Sequence, residues 1–227
     1  QDCREAAWLV AQAYRQQMAM YAEMPVLQAW NDLFDLEEII ENTPDKDQRR
    51  YYSKKLASAT EQSAHEKEFA KLTFHAGDTP RIVDQPPLIF HRGDQRDQEW
   101  MQIAISTMKE YKKNLNLGVN LLLDRFEVMD VAFKVVGVGS VGTRAFLALL
   151  QGRDQNDPLF LQVKEATRSV LEDHLPKSRF KQPGERVVQG QRMMQASSDI
   201  FLGWTKGLED NRYMYWRQLR DMKGSAV

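Results

Sequence analysis

The feature that most constrains this chain is the spacing of its apolar runs between Val128 and Lys164. Residues 128–136, 145–150 and 159–164 are rich in β-branched, aromatic and long aliphatic side chains, the composition of strands. Two short breaks part them. Residues 137–142 read Gly-Val-Gly-Ser-Val-Gly, and residues 152–158 read Gly-Arg-Asp-Gln-Asn-Asp-Pro, a tight polar turn. Together they predict three consecutive strands joined by short connections. A further aromatic–polar alternation at 212–219 predicts a strand lying beside the third, after a helix over 185–202 that follows Pro183.

The first break contains G-x-G-x-x-G, at Gly137, Gly139 and Gly142. In a dinucleotide fold that pattern sits between a strand and a helix, with a ribose-binding acid about 20 residues on. Residues 143–150 would then be a short helix and Glu165 the acid. Only nine residues separate Gly142 from the turn at Gly152, short for a crossover. In a kinase-like lobe the loop instead joins two antiparallel strands, and a lysine on the third strand meets the nucleotide's phosphates. Lys164 lies near the end of the third run. Gly137, Gly139, Ser140 and Gly142 would bring backbone N–H groups close to phosphate oxygens. An ammonium inside an apolar strand needs an anion to offset its burial. Glu185, opening the next helix, is the acid that would orient Lys164, and it equally suits the helix dipole. A plain glycine-rich hairpin, with Lys164 reaching water along its stem, is the third reading. The order of elements favours the second; the others stay open.

The preceding chain is mainly helical. Trp8, Leu9, Ala11, Tyr14, Met18, Tyr21 and Ala22 give residues 1–24 an amphipathic pattern that Pro25 ends. A short helix over 35–40 and a break at 42–45 come next. Mixed charge at helical spacing predicts a long surface helix over 47–74. Residues 76–98 read as loop with a short strand at 81–83, followed by helix over 99–117 that residues 121–123 continue or follow. The expected fold class is α+β, with a mainly helical region over 1–127, part of a larger lobe, and a β-rich nucleotide-binding-type lobe over 128–227. The net charge of -1 gives nucleic acid or an anionic membrane no global attraction. Cys3 is the single cysteine, so a reducing, cytoplasmic setting fits. Both ends, at Gln1 and Val227, read as those of an internal fragment.

Phosphoryl transfer also needs metal-binding and base-positioning acids. His91-Arg92-Gly93-Asp94 has the outline of a catalytic-loop start, but Arg96, Asp97 and Gln98 follow without the expected Asn, so it reads as loop. No metal-ligand spacing is evident. The stretches 135–144, 157–166, 184–192, 198–204 and 217–225 closely resemble the bacterial DUF2252 family, a domain of unknown function. The resemblance covers essentially the whole chain, including Tyr21-Ala22-Glu23-Met24-Pro25 and Pro86-Pro87-Leu88-Ile89. It implies distant kinship to aminoglycoside phosphotransferases and protein kinases, with permuted lobes. It also implies that the catalytic and metal-binding acids lie in preceding segments of a longer polypeptide, the remainder of which is the expected partner. The expected function is that of an ATP-dependent phosphotransferase-like protein of unknown substrate, using ATP and Mg in the longer protein. On this reading the chain by itself binds nucleotide weakly or not at all and does not catalyse. A non-catalytic nucleotide-sensing or interaction module and a dinucleotide-binding oxidoreductase are the alternatives.

Overall fold

Pro25 has no N–H to extend a helix, and it separates two of them. In the computed structural model α1 spans Asp2–Glu23 and α2 spans Val26–Asn31. The structure describes residues 2–31, 36–60, 71–77, 79–93, 96–137, 141–154, 157–195, 198–207 and 212–219. By compactness the chain divides into Gln1–Ser53 and Lys54–Val227. Within the first unit, α1 has no buried residue, and its apolar side chains Trp8, Leu9, Tyr14 and Met18 are exposed. The α3 helix spans Leu36–Glu41, and α4 spans Lys46–Thr60. Asp45 opens α4 by accepting the Asp47 and Gln48 N–H groups at 2.8 and 3.0 Å.

In the second unit, two strands form a hairpin, β1 over Thr73–Ala76 and β2 over Thr79–Ile82. The long polar helix expected to reach residue 74 therefore stops short. Residues 61–70 lie outside the described residues, and Thr73-Phe74-His75-Ala76 is extended ahead of a turn that holds Gly77 at φ 66°. The β3 strand is Ile89–Phe90, α5 is Arg96–Lys112 and α6 is Leu117–Leu123. Asn116 caps α6 by accepting the Val119 N–H at 2.9 Å.

The three apolar runs become β4 (Glu127–Lys134), β5 (Ala145–Gln151) and β6 (Pro158–Ala166). After a 3-10 turn at Val170–Asp173 come α7 (Pro183–Met194), β7 (Gly203–Lys206) and β8 (Tyr213–Gln218). The sheet order is β3-β4-β5-β6-β8-β7, with every neighbouring pair antiparallel. The protein is thus a mixed α+β fold, a helical region followed by antiparallel sheets. As the alternation at 212–219 predicts, β8 lies beside β6. Residues 145–151 form a strand rather than the helix that a dinucleotide fingerprint requires.

Both faces of the sheet are covered, so β5 and β6 read as nearly continuous apolar runs. Toward α5 and α6, Leu150, Leu161, Val163 and Trp216 pack with Met108, Tyr111, Val119 and Leu123. On the other face Leu147, Leu149 and Phe160 pack with Leu72, Ile82 and Ile89. Each such side chain contributes about 1.5–3 kcal/mol when fully buried.

The α7 helix starts where expected but ends early. Gln182 caps it by accepting the Glu185 N–H at 2.5 Å. Gly184 lets α7 approach β8 closely; a Cβ there would lie 2.5 Å from the Met214 carbonyl oxygen. Beyond Met194 the chain turns extended at Gln195, with φ -104° and ψ 125°. Asp199 then captures the Phe201 N–H at 2.9 Å and the Gln218 N–H at 2.6 Å. That tie commits residues 199–202 to a turn feeding β7 rather than to more helix. Of the apolar stripe expected on this helix, Val188 and Phe201 are buried, and Met194 and Ile200 are exposed.

Candidate functional site

The glycine segment lies between β4 and β5 in the chain. Gly137 follows β4 in open space, and Gly142 adopts φ 83°, a left-handed conformation that a side chain would strain. Gly139 and Ser140 lie outside the described residues. The loop's exit is fixed to β6. The Glu165 N–H donates to the Arg144 carbonyl at 2.8 Å, and the Arg144 N–H donates to Glu165 Oε2 at 3.0 Å. Glu165 also holds Arg212 at 2.5 Å with its own side chain 7% exposed. It is thus committed to an internal ion pair, which leaves little capacity for a ribose.

Lys164 is next in the strand and faces the opposite way. It registers with Ala145 on β5 and Tyr215 on β8, and Gln162 registers with Arg217. Trp204 registers with Tyr215, so Lys164, Gln162, Tyr215, Arg217 and Trp204 share one face. The α7 helix lies over this face, since the Arg192 guanidinium sits 5.9 Å from the Trp204 ring centroid. Lys164 and Arg217 are both half-buried. Burial lowers the Lys164 pKa, and the positive charge of Arg217 lowers it further. Burial raises the Tyr215 pKa, which Arg217 partly offsets. Among the described residues, neither Lys164 nor Arg217 has a hydrogen-bond or ion-pair partner. Glu185 stands half-buried in the first turn of α7 and makes no ion pair with Lys164. The two cations thus share one face with no carboxylate paired to either among the described residues.

A second polar cluster lies at the β4 edge. Asp130 is buried, and its carboxylate accepts the Ile82 N–H at 2.8 Å and Arg81 Nη1 at 3.0 Å. His91 Nε2 stands 3.2 Å from both oxygens of Asp130, and His91 Nδ1 stands 2.7 Å from Asp84 Oδ1. The Asp130 hydrogen bond is the largest influence on His91. Burial opposes it, and the charges of Asp130 and Asp84 assist, so the imidazole pKa rises to about 9. Burial pushes Asp130 up, but His91, the Ile82 N–H and Arg81 outweigh it and hold the carboxyl below its ordinary value. The cluster lines a cavity of about 880 Å³ together with Phe74, Gln98 and Glu99. Both nitrogens of the imidazolium are taken by carboxylates, so it clamps the 81–91 segment to β4 rather than shuttling protons. The loop expected at His91 is present; its tie to Asp130 is new. An aspartate inside the apolar run 128–136 was the available signal, by the same reasoning that singles out Lys164.

The clamp has a pH signature. A folded pKa raised from 6.5 to about 9 gives stabilisation that is complete below pH 6.5 and is lost as pH rises through about 9. The loss is on the order of 3 kcal/mol at full deprotonation. Thermal denaturation from pH 6 to pH 10 is expected to show this fall in the wild type and a flatter profile in His91→Gln. Parallel profiles would contradict the clamp.

Among the described residues no helix is long and apolar enough to cross a membrane, and no group of three or more His, Cys, Asp or Glu is placed to hold a metal ion. Neither a curated protein nor a solved structure matches the chain. The sequence profile of a family described as uncharacterized proteins conserved in bacteria matches residues 1–227. With the whole of its length matched, the chain belongs to that bacterial family, DUF2252.

Proposed function

We propose that residues 128–227 are the nucleotide-binding lobe of a phosphotransferase-like protein and hold the phosphates of ATP. The observation that carries this reading is Lys164, a half-buried ammonium without a partner among the described residues. It stands on the third of three consecutive antiparallel strands, the first two joined by the glycine segment. That is the arrangement in which a lysine meets phosphates under a glycine loop. The helix after the third strand and the return of β8 alongside β6 also support it. On this reading residues 137–142 cover the phosphates, Lys164 binds them, and Glu185 orients Lys164 once they are in place. Magnesium would arrive on the nucleotide's phosphate oxygens, with waters and one or two carboxylates completing its shell in such sites.

The test is equilibrium binding of magnesium-ATP to the full-length protein, wild type against Lys164→Ala. Loss of a charge-assisted contact of about 1.5–3 kcal/mol weakens binding roughly 10–100-fold. Binding of equal strength in the two proteins would remove Lys164 from the site. An enzyme and a nucleotide sensor share this step; phosphoryl transfer to an acceptor distinguishes them.

A further inference from the structure

Arg217 is the least explained side chain on the Lys164 face. The pairs Lys164–Tyr215 and Gln162–Arg217 place the two cations on adjacent strands as diagonal neighbours. Diagonal positions on one face bring Cα atoms within roughly 7–8 Å, inside the reach of long side chains. Burial depresses the Lys164 pKa first, and the Arg217 charge lowers it further. Like charges at such positions are unfavourable unless something negative lies between them.

Among the described residues, no carboxylate supplies that charge. Glu165 lies on the opposite face, paired with Arg212 at 2.5 Å. Asp199 is occupied by the Phe201 and Gln218 N–H groups. Glu185 makes no ion pair with either cation. The guanidinium fork matches phosphate in a two-point fashion, whereas the ammonium acts as a compact charge.

Resting on the nucleotide reading above, we propose that Arg217 and Lys164 form a two-cation clamp for a chain of linked phosphates. Arg217 grips one phosphate through its fork and Lys164 binds its neighbour. The ligand class is a polyphosphate ester, a nucleoside diphosphate or triphosphate, rather than a monophosphate. Tyr215 pairs directly with Lys164 and precedes Arg217 by two residues on β8, so it shares the clamp's face.

The experiment titrates ATP, AMP, adenosine and inorganic tripolyphosphate into the full-length protein as wild type, Arg217→Gln, Arg217→Lys and Lys164→Ala, with each variant's folding checked by circular dichroism. Arg217→Gln is expected to weaken ATP and tripolyphosphate at least tenfold and to leave adenosine unchanged. Arg217→Lys keeps the charge but loses the fork, so its loss is intermediate; it serves alone if the glutamine variant fails to fold. Wild-type AMP binding is expected to be at least tenfold weaker than ATP binding. ATP binding that falls in Lys164→Ala but is unchanged in both Arg217 variants overturns the clamp and leaves the nucleotide reading standing. Tripolyphosphate binding weakened by Arg217→Gln, without any ATP binding, supports the clamp and overturns the nucleotide reading. Binding of neither ligand overturns both.

Discussion

Replacing Asp130 by alanine is expected to destabilise the Lys54–Val227 unit by roughly 3–5 kcal/mol, the cost of breaking a buried ion-pair network from one side. Asp130 is 2% exposed, and four groups converge on it: the backbone N–H groups of Ile82 and Val131, the Arg81 guanidinium and the His91 imidazolium. Without the carboxylate, the Ile82 N–H is left buried and unpaired, and His91 loses the contact that holds its proton. The β1–β2 hairpin and the chain leading to β3 then lose their polar tie to β4. Asp84 is the control, since its side chain is 49% exposed and among the described residues its carboxylate bonds only to His91. Asp84→Ala is expected to cost about 1 kcal/mol or less. Urea denaturation midpoints of the two variants measure the difference. Equal, small shifts in both would show that the network contributes nothing to folding.

Trp216→Ala is expected to cost about 3–5 kcal/mol, the usual range for truncating a buried tryptophan. Trp216 is 2% exposed and stacks on Tyr111 with ring centroids 4.7 Å apart and planes 15° apart. Tyr111 in turn donates its hydroxyl to the Phe201 carbonyl, so this stack joins α5, β8 and the turn before β7. Burial raises the Tyr111 pKa, with the Asp199 charge adding to it and Arg192 opposing, which keeps the hydroxyl protonated as a donor. Trp216→Phe isolates the packing from the polar part. Trp216 Nε1 is buried with no acceptor among the described residues, so removing it relieves an unpaired donor. The phenylalanine variant is therefore expected to lose less than half as much as the alanine variant in the same denaturation measurement. Equal losses would contradict the packing account of the stack.

The sheet was legible because its connections are short. The polar turn at 152–158 and the glycine segment leave β4, β5 and β6 no option but to run back and forth, and the apolar runs match strands buried on both faces. The β8 strand was legible from its alternating aromatics. What stayed hidden depends on contacts distant in sequence. The helix expected to reach residue 202 stops at Met194 because Asp199 bonds to the Gln218 backbone, 19 residues away. The four-residue β7 strand, Gly203-Trp204-Thr205-Lys206, exists only as the partner of β8. The Asp130 cluster joins residues 48 positions apart, which no local pattern announces. The candidate phosphate site divides the same way. Lys164 and the glycines stand out as exceptions in their own segments. The placement of Arg217 on the Lys164 face comes only from the β6–β8 register, and Arg220, Asp221 and Lys223, charged residues in the same stretch, lie outside the described residues.

The most direct test of a phosphate site on the Lys164 face is a crystal structure of the full-length protein with magnesium-ATP. The account predicts triphosphate oxygens within hydrogen-bond distance of Lys164 Nζ, about 2.7–3.2 Å, beneath residues 137–142. Nucleotide bound instead in the cavity beside His91 and Asp130, with Lys164 untouched, would contradict it.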